Sequence, residues 1–422
     1  LSGRAVSLSS GGSRVAIGAH LNDGGGANAG HVRIFDYDSL SSSWVQMGAD
    51  IDGDSLGGFS GSAVSLSGDG SRVAVGAYNT TAGGQVRVWQ LAYLPSGEPT
   101  SQPSQPSGQP TSQPSQPSGQ PTGQPTYGAR EWFQVGASID GEGAGDESGW
   151  WTGVSLSADG GRVAVGARYN DGGGVDAGHV RVFEYNSSSS LWTQLGADID
   201  GEASGDESGF SVSLSSDGSR VAVGGVNNGA SGTNAGHVRV FEFNTSSWTQ
   251  LGADIDGEAA GDNFGYAVSL SSNGNLVAIG ALKHDGINGV DSGHVRVFEY
   301  DSFSWTQVGT DIEGEGAGDW SGLVVSLSSN GGHLAVGAQI NDGVNGADSG
   351  HVRVFVYNSS SWTQLGADLD GEAAGDKNGV AVSLSANGTR VAIGALENDG
   401  NGADSGHVRV YEYDSSVWNQ LG

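Results

Sequence analysis

The chain has no cysteine, a single methionine and no proline outside one short stretch. Without cysteine there are no disulfides, and cysteine usage leaves the redox compartment open. Basic residues are also scarce: 17 Lys and Arg stand against 47 Asp and Glu in 422 residues, a formal net charge of −30. Nucleic acids are bound by neutralising phosphates with Lys and Arg, and anionic membranes attract the same residues, so the composition excludes both partners. No apolar run is long enough to span a bilayer, so direct membrane insertion is not expected. The only methionine is Met47, so this segment is expected to be part of a longer chain, and the absence of a leader says nothing about secretion.

What the chain has in abundance is glycine, 76 residues, and repetition. The motif Val-Ser-Leu-Ser begins at Val6, Val64, Val154, Val212, Val268, Val325 and Val382. Successive copies lie 56 to 58 residues apart, except for 90 between Val64 and Val154. A period of this order, with several short strands per unit, is the signature of a propeller. The sequence therefore predicts an all-β fold, a seven-bladed β-propeller of four-stranded antiparallel blades forming one domain, 1–422. The blades fall near 1–53, 54–141, 142–201, 202–257, 258–314, 315–371 and 372–422. The long gap holds a Pro/Gln/Ser-rich low-complexity insert, 93–128 in blade two, which contains all nine prolines and reads as a disordered or polyproline-like tether.

The fifth unit shows the pattern most clearly. Residues 266–271 alternate large and small, Asn273-Gly274 marks a two-residue hairpin turn, and Leu276–Ala281 forms a second strand. A polar loop leads to His294–Tyr300, and a short link leads to Trp305. On the first two strands a bulky face (Val268, Leu270; Val277, Ile279) opposes a small one, which suits blade-on-blade packing. The tryptophans Trp44, Trp132, Trp192, Trp248, Trp305, Trp362 and Trp418 recur at one place per unit and read as packing residues. His31, His179, His237, His294, His351 and His407 each precede Val-Arg and read as satisfied structural hydrogen bonders. The segment opens at the first strand of unit one and ends at the last of unit seven, so the ring is expected to close by packing, without a shared strand unless residues beyond this segment supply one.

These units resemble the FG-GAP repeats of the integrin α-subunit propeller. Phe264-Gly265 precedes the first strand of unit five, Val277-Ala-Ile-Gly-Ala281 stands where that family has Val-Gly-Ala-Pro, and Gly293-His-Val-Arg-Val-Phe298 stands where it has Gly-x-Val-x-x-Phe. Proline never follows Gly-Ala here, and Ser208-Gly209, Ser321-Gly322 and Asn378-Gly379 replace Phe-Gly. The family's calcium loops lie between the first and second strands. That connection is here a tight turn, as at Asp69-Gly70 or Asn387-Gly388, so those sites do not carry over. The resemblance implies an extracellular or cell-surface propeller that adheres to or binds a protein or glycan ligand.

In a propeller, the connections from fourth to first strand and from second to third emerge on one face, and the remaining hairpins on the other. The first set holds most of the chain's 47 acids and, among cations, Arg168, Lys283 and Lys377. Such a field attracts cations. The pairs Asp198 and Asp200, Asp254 and Asp256, and Asp368 and Asp370 are candidate Ca²⁺ ligands. Five Asn-x-Ser/Thr sequons, at Asn79, Asn186, Asn244, Asn358 and Asn387, are candidate glycosylation sites.

Symmetry-breaking points to a ligand site. Blade three has two extra residues ahead of Val154, placing Trp150 and Trp151 at the acidic rim, with Arg168 and Tyr169 nearby and Trp320 in another loop. Aromatic faces beside acids suit sugar or peptide recognition. No catalytic constellation is legible. The sequence therefore reads first as a non-catalytic binding or adhesion module, then as a propeller enzyme (lyase or hydrolase) acting on polysaccharide, then as a structural spacer in a wall or matrix.

Overall fold

The computed structural model describes residues 1–93 and 130–422; the predicted insert, from residue 94 onward, lies outside them. Each repeat forms one antiparallel sheet whose strands, A to D, lie side by side in chain order. In blade five these are Ala267–Leu270, Leu276–Ala281, His294–Tyr300 and Trp305–Gln307. Seven such blades make the predicted propeller, and the described residues contain no helix. In six blades strand D is interrupted and resumes as a two-residue strand, Ile312–Glu313 in blade five, which pairs with the start of strand C.

The two-faced strands explain the stacking. The bulky face of blade five (Val268, Leu270, Val277, Ile279, Phe298) packs on Ala222, Val238 and Val240 of blade four. Its small face (Ala267, Ala278, Val295, Val297) receives Val325, Leu327, Leu334 and Val336 of blade six. The core is thus seven slabs, one at each blade boundary. Strand B is covered on both sides, which is why Val277, Ala278, Ile279 and Ala281 are all buried.

Ring closure needs no shared strand, because circular hydrogen-bond chains run unbroken through the junction of blades one and seven. In the first, the strand-A leucine N–H donates to the strand-A serine of the preceding blade: Leu66 to Ser7, Leu384 to Ser326, and across the junction Leu8 to Ser383, at 2.9 Å each. In the second, backbone groups of the A–B turns link successive blades, from Ser10 to Gly68 and around to Ala386, whose N–H returns to Ser10 O at 2.9 Å. In the third, every strand-D tryptophan donates its indole N–H to a carbonyl of the preceding blade, with Trp44 reaching Leu421 O at 2.9 Å. The tryptophans therefore pack, as expected, and also link blades. The glycine after each accepting carbonyl gives the indole room: a Cβ on Gly252, at φ +71, would lie 3.1 Å from Trp305 Cδ1.

One local expectation is corrected. Asn273-Gly274 is not a two-residue turn with both residues left-handed. Only Gly274 has positive φ, and Gly274 N–H bonds Ser271 O while Ser271 N–H bonds Leu276 O. Asn273 instead accepts from the Ser271 hydroxyl and the Asn275 N–H, so the longer turn is held by side-chain bonds that the dipeptide rule does not consider.

Candidate functional site

The central channel is lined by strand-A valines and alanines (Val6, Val64, Val154, Val212, Val268, Val325, Val382) and encloses about 140 Å³. Its mouth on the acidic face is built from three slots per blade. One slot, just before strand A, holds a non-glycine residue in the left-handed region: Phe59, Glu147, Glu207, Asn263, Trp320 and Lys377, at φ 52 to 56°. Left-handed backbone costs such residues roughly 1–2 kcal/mol each, and only Asn sits there easily. The second slot, three residues on, holds Arg4, Ser62, Trp150, Phe210, Tyr266, Leu323 and Val380; the third, after strand B, holds His20, Tyr78, Arg168, Val226, Leu282, Gln339 and Leu396. Blades six and seven fill the last two slots with aliphatic or amide residues. Blades one to five supply rings and guanidiniums.

Those side chains form one connected cluster. Phe59 stacks on Tyr78 at 5.1 Å, and Tyr78 meets the edge of Trp150 at 4.3 Å. The Arg168 guanidinium lies over Trp150 at 4.4 Å and Tyr169 at 4.3 Å. It is clamped by Glu147 at 2.7 Å and Glu207 at 3.6 Å, both in left-handed slots. Phe210 packs on Tyr266 at 4.6 Å. Burial raises the Tyr78, Tyr169 and Tyr266 hydroxyl pKa values and that of Glu207, where Arg168 opposes the rise. Arg4, 3.9 Å above Trp151, is pushed down to about 10 by burial, with Tyr266 and Tyr78 opposing the shift. Two buried polar atoms of the cluster, Trp150 Nε1 and His20 Nδ1, have no hydrogen-bond partner.

Of the predicted ligand residues, Trp150, Arg168, Tyr169 and Trp320 line one pocket of about 360 Å³, with Glu207, Phe210, Asn227, Asn263, Tyr266 and Lys283. Trp151 does not join them. The two extra residues of blade three, Trp151 and Thr152, form a bulge closed by Gly153 N–H to Trp150 O at 2.6 Å, and the bulge turns Trp151 into the channel, where it is 9 % exposed against Leu323 and Val380. Arg4, Phe59, Tyr78, Phe210 and Tyr266 were missed. Aligning the repeats at the residue after the glycine that precedes strand A would have found Arg4, Phe210 and Tyr266, because that slot varies most in an otherwise monotonous strand.

Residues 254–298 match the family described as FG-GAP repeat. Blade five carries an FG-GAP repeat. None of the curated proteins compared matches the chain. Among solved structures, a putative 6-phosphogluconolactonase from Bacteroides fragilis NCTC 9343 is similar at 12 % identity and TM-score 0.58, covering 97 % of this chain and 94 % of that one. The corresponding protein of Bacteroides uniformis ATCC 8492 gives 12 %, 0.57, 97 % and 95 %. Kuenenia stuttgartiensis hydrazine synthase gives 11 %, 0.54, 98 % and 96 %. At these identities the likeness shows the propeller fold alone.

In the FG-GAP blade and its sisters the acidic face is less bare than its loops imply. Strand-C arginines, outside those loops in sequence, reach the loop carboxylates: Arg181 to Glu142, Arg239 to Glu202, Arg296 to Glu258, Arg353 to Glu315 and Arg409 to Glu372, at 3.2 to 3.6 Å. Arg239, Arg296 and Arg409 also donate to the main-chain carbonyls of the predicted Asp200, Asp256 and Asp370. Asp198 groups with Glu142 and His179, and Asp254 with Glu202 and His237, with the three ligand atoms of each set within 4.8 Å of one another. Asp368 and Asp370 line a 420 Å³ pocket with Glu315 and His351.

The histidine expectation is corrected here. His179 and His294 have no hydrogen bond on either ring nitrogen, and His237 has none on Nδ1. The carboxylates facing Nδ1 of His179 and His237 stand at 3.6 to 4.0 Å, beyond hydrogen-bond length. Burial lowers the pKa of all three imidazoles. The five sequon asparagines, Asn79, Asn186, Asn244, Asn358 and Asn387, are all exposed. Asn79 lies on the acidic face and the other four on the opposite one.

Proposed function

We propose that the chain is a non-catalytic, extracellular or cell-surface binding module that takes a carbohydrate ligand in the pocket at the channel mouth. One observation carries this reading. The repeat is interrupted in concert at Trp150, Arg168, Tyr169, Tyr266 and Trp320, and these departures meet in one pocket, while the channel beneath is walled by valine and alanine apart from Trp151 and Thr152 of the blade-three bulge. Half-buried aromatic faces offer stacking surfaces for pyranose rings. Glu207, Asn227, Asn263 and Lys283 offer donors and acceptors for hydroxyls. Exposed sequons and the FG-GAP repeat support an extracellular setting.

The test is a glycan and peptide array probed with the native chain, Trp150→Ala and Trp320→Asn. The last variant introduces the residue that blade five has in the same slot, Asn263, so the backbone is respected. Each variant is expected to lose about tenfold or more in affinity for the selected glycan, because an aromatic contact is worth about 0.5–1.5 kcal/mol beyond its buried area. Selection of peptides alone, or unchanged affinity in both variants, overturns the reading. Release of new reducing ends from a bound polysaccharide would favour the enzyme alternative.

A further inference from the structure

Blade five departs from its sisters at two further positions, and both departures meet at one buried imidazole. Where blades one, three, four, six and seven have Asn22, Asn170, Asn228, Asn341 and Asn398, blade five has His284. Where the resumed strand D has Asp52, Asp140, Asp200, Asp256 and Asp370, blade five has Glu313. His284 stacks on His294 with ring centres 3.9 Å apart and planes 21° apart. His294 is 0 % exposed, and neither of its ring nitrogens has a hydrogen-bond partner. Glu313 Oε2 is buried and likewise unpartnered. Leaving buried polar atoms unpaired costs on the order of 1–3 kcal/mol each, and more for a charged group, so this coincidence asks for a partner that accepts lone pairs from both.

We propose that blade five holds a divalent transition-metal ion of the Zn²⁺ class, with His294, Asp311 and Glu313 as protein ligands. Each offers one donor atom, and the three lie within 4.8 Å of one another. One imidazole nitrogen with two carboxylate oxygens suits a borderline cation better than Ca²⁺, which prefers an all-oxygen shell. His284 and Glu258 form a second triad about the same imidazole. Two rings stacked nearly parallel aim their in-plane lone pairs side by side, so His284 does not share the ion with His294. Its Nδ1 is held by Asp262 at 3.0 Å, and it serves as a positioning residue against which the His294 ring rests. His284 also lines an open pocket of about 270 Å³ with Asp262, Lys283 and Asp285.

The test uses the untagged chain, stripped with a chelator and titrated with ZnCl₂ by calorimetry, with Co²⁺ as a spectroscopic probe. The native chain is expected to bind tightly, to gain thermal stability as mass action on the folded state requires, and to shift the His294 proton resonances with Co²⁺. Glu313→Gln and Asp311→Asn keep side-chain size and should each weaken the site by more than about 100-fold, since loss of an outer-shell partner alone commonly costs 10–100-fold. His284→Asn restores the sister-blade residue but removes the ring that His294 rests on, and should weaken binding by about 10–100-fold, less than either ligand variant. Absence of heat and of any thermal shift with Zn²⁺, or native affinity in a folded Glu313→Gln chain, overturns the assignment. So does perturbation of other histidines with His294 silent.

Discussion

At the scale of single residues, side chains present in every repeat build the molecule and those that depart from it meet at sites. Trp150, Arg168, Tyr169 and Trp320 were legible because they broke the pattern, and the pocket brings them together. The place of Trp151 was not legible, because a bulge decides which way a side chain turns and no propensity reports that. The histidines misled for a related reason: a repeated slot implies a structural role but not that its polar atoms are satisfied. Their burial makes a prediction. Eight of the nine histidines are held below their ordinary value, mainly by desolvation, with His20 at about 4, His294 at about 3 and His351 at about 4. Such a group stays neutral in the native state while the unfolded chain takes up a proton below its ordinary value of about 6.5. Its contribution to stability is therefore complete above that pH and is lost as pH falls towards the native value, with a slope of up to about 1.4 kcal/mol per pH unit for each histidine. Scanning calorimetry of the chelator-stripped chain in moderate salt, which screens the surface charge, should show Tm falling from pH 7 to pH 5. A flat or rising Tm would contradict neutral buried imidazoles.

At the scale of the element, the four-strand unit was almost wholly legible from its period-2 alternation and its punctuation by glycine. The break in strand D was less so, because Leu-Gly after Trp-Thr-Gln reads as an ordinary strand end. Its reason lies in the next blade, whose indole needs both the carbonyl and the space. Trp248→Phe removes the bond from Nε1 to Leu195 O, 2.7 Å long, and is expected to destabilise by about 1–2 kcal/mol. Gly252→Ala places a methyl 3.1 Å from Trp305 Cδ1 at φ +71 and should cost more than about 1 kcal/mol. Urea denaturation measures both. Native midpoints in both variants would deny the link between blades.

At the scale of the whole molecule, the propeller was legible in the sevenfold repeat and the order of strands. The face charges were only half legible. The loops show their carboxylates in sequence, but the strand-C arginines that pair with them stand far along the chain, in the blade that each loop leads into, a pairing only the fold reveals. The result is a near-symmetric ring with one sector, across blades one to six, where aromatic and cationic side chains gather at the channel mouth. The central claim is that this sector is the binding surface. Hydrogen exchange of the chain with and without its array-selected glycan tests it most directly. Protection is expected in residues 147–153, 168–169, 207–210 and 263–266, and not in the C–D hairpins of the opposite face. Protection confined to those hairpins, or spread evenly around the seven blades, would contradict it.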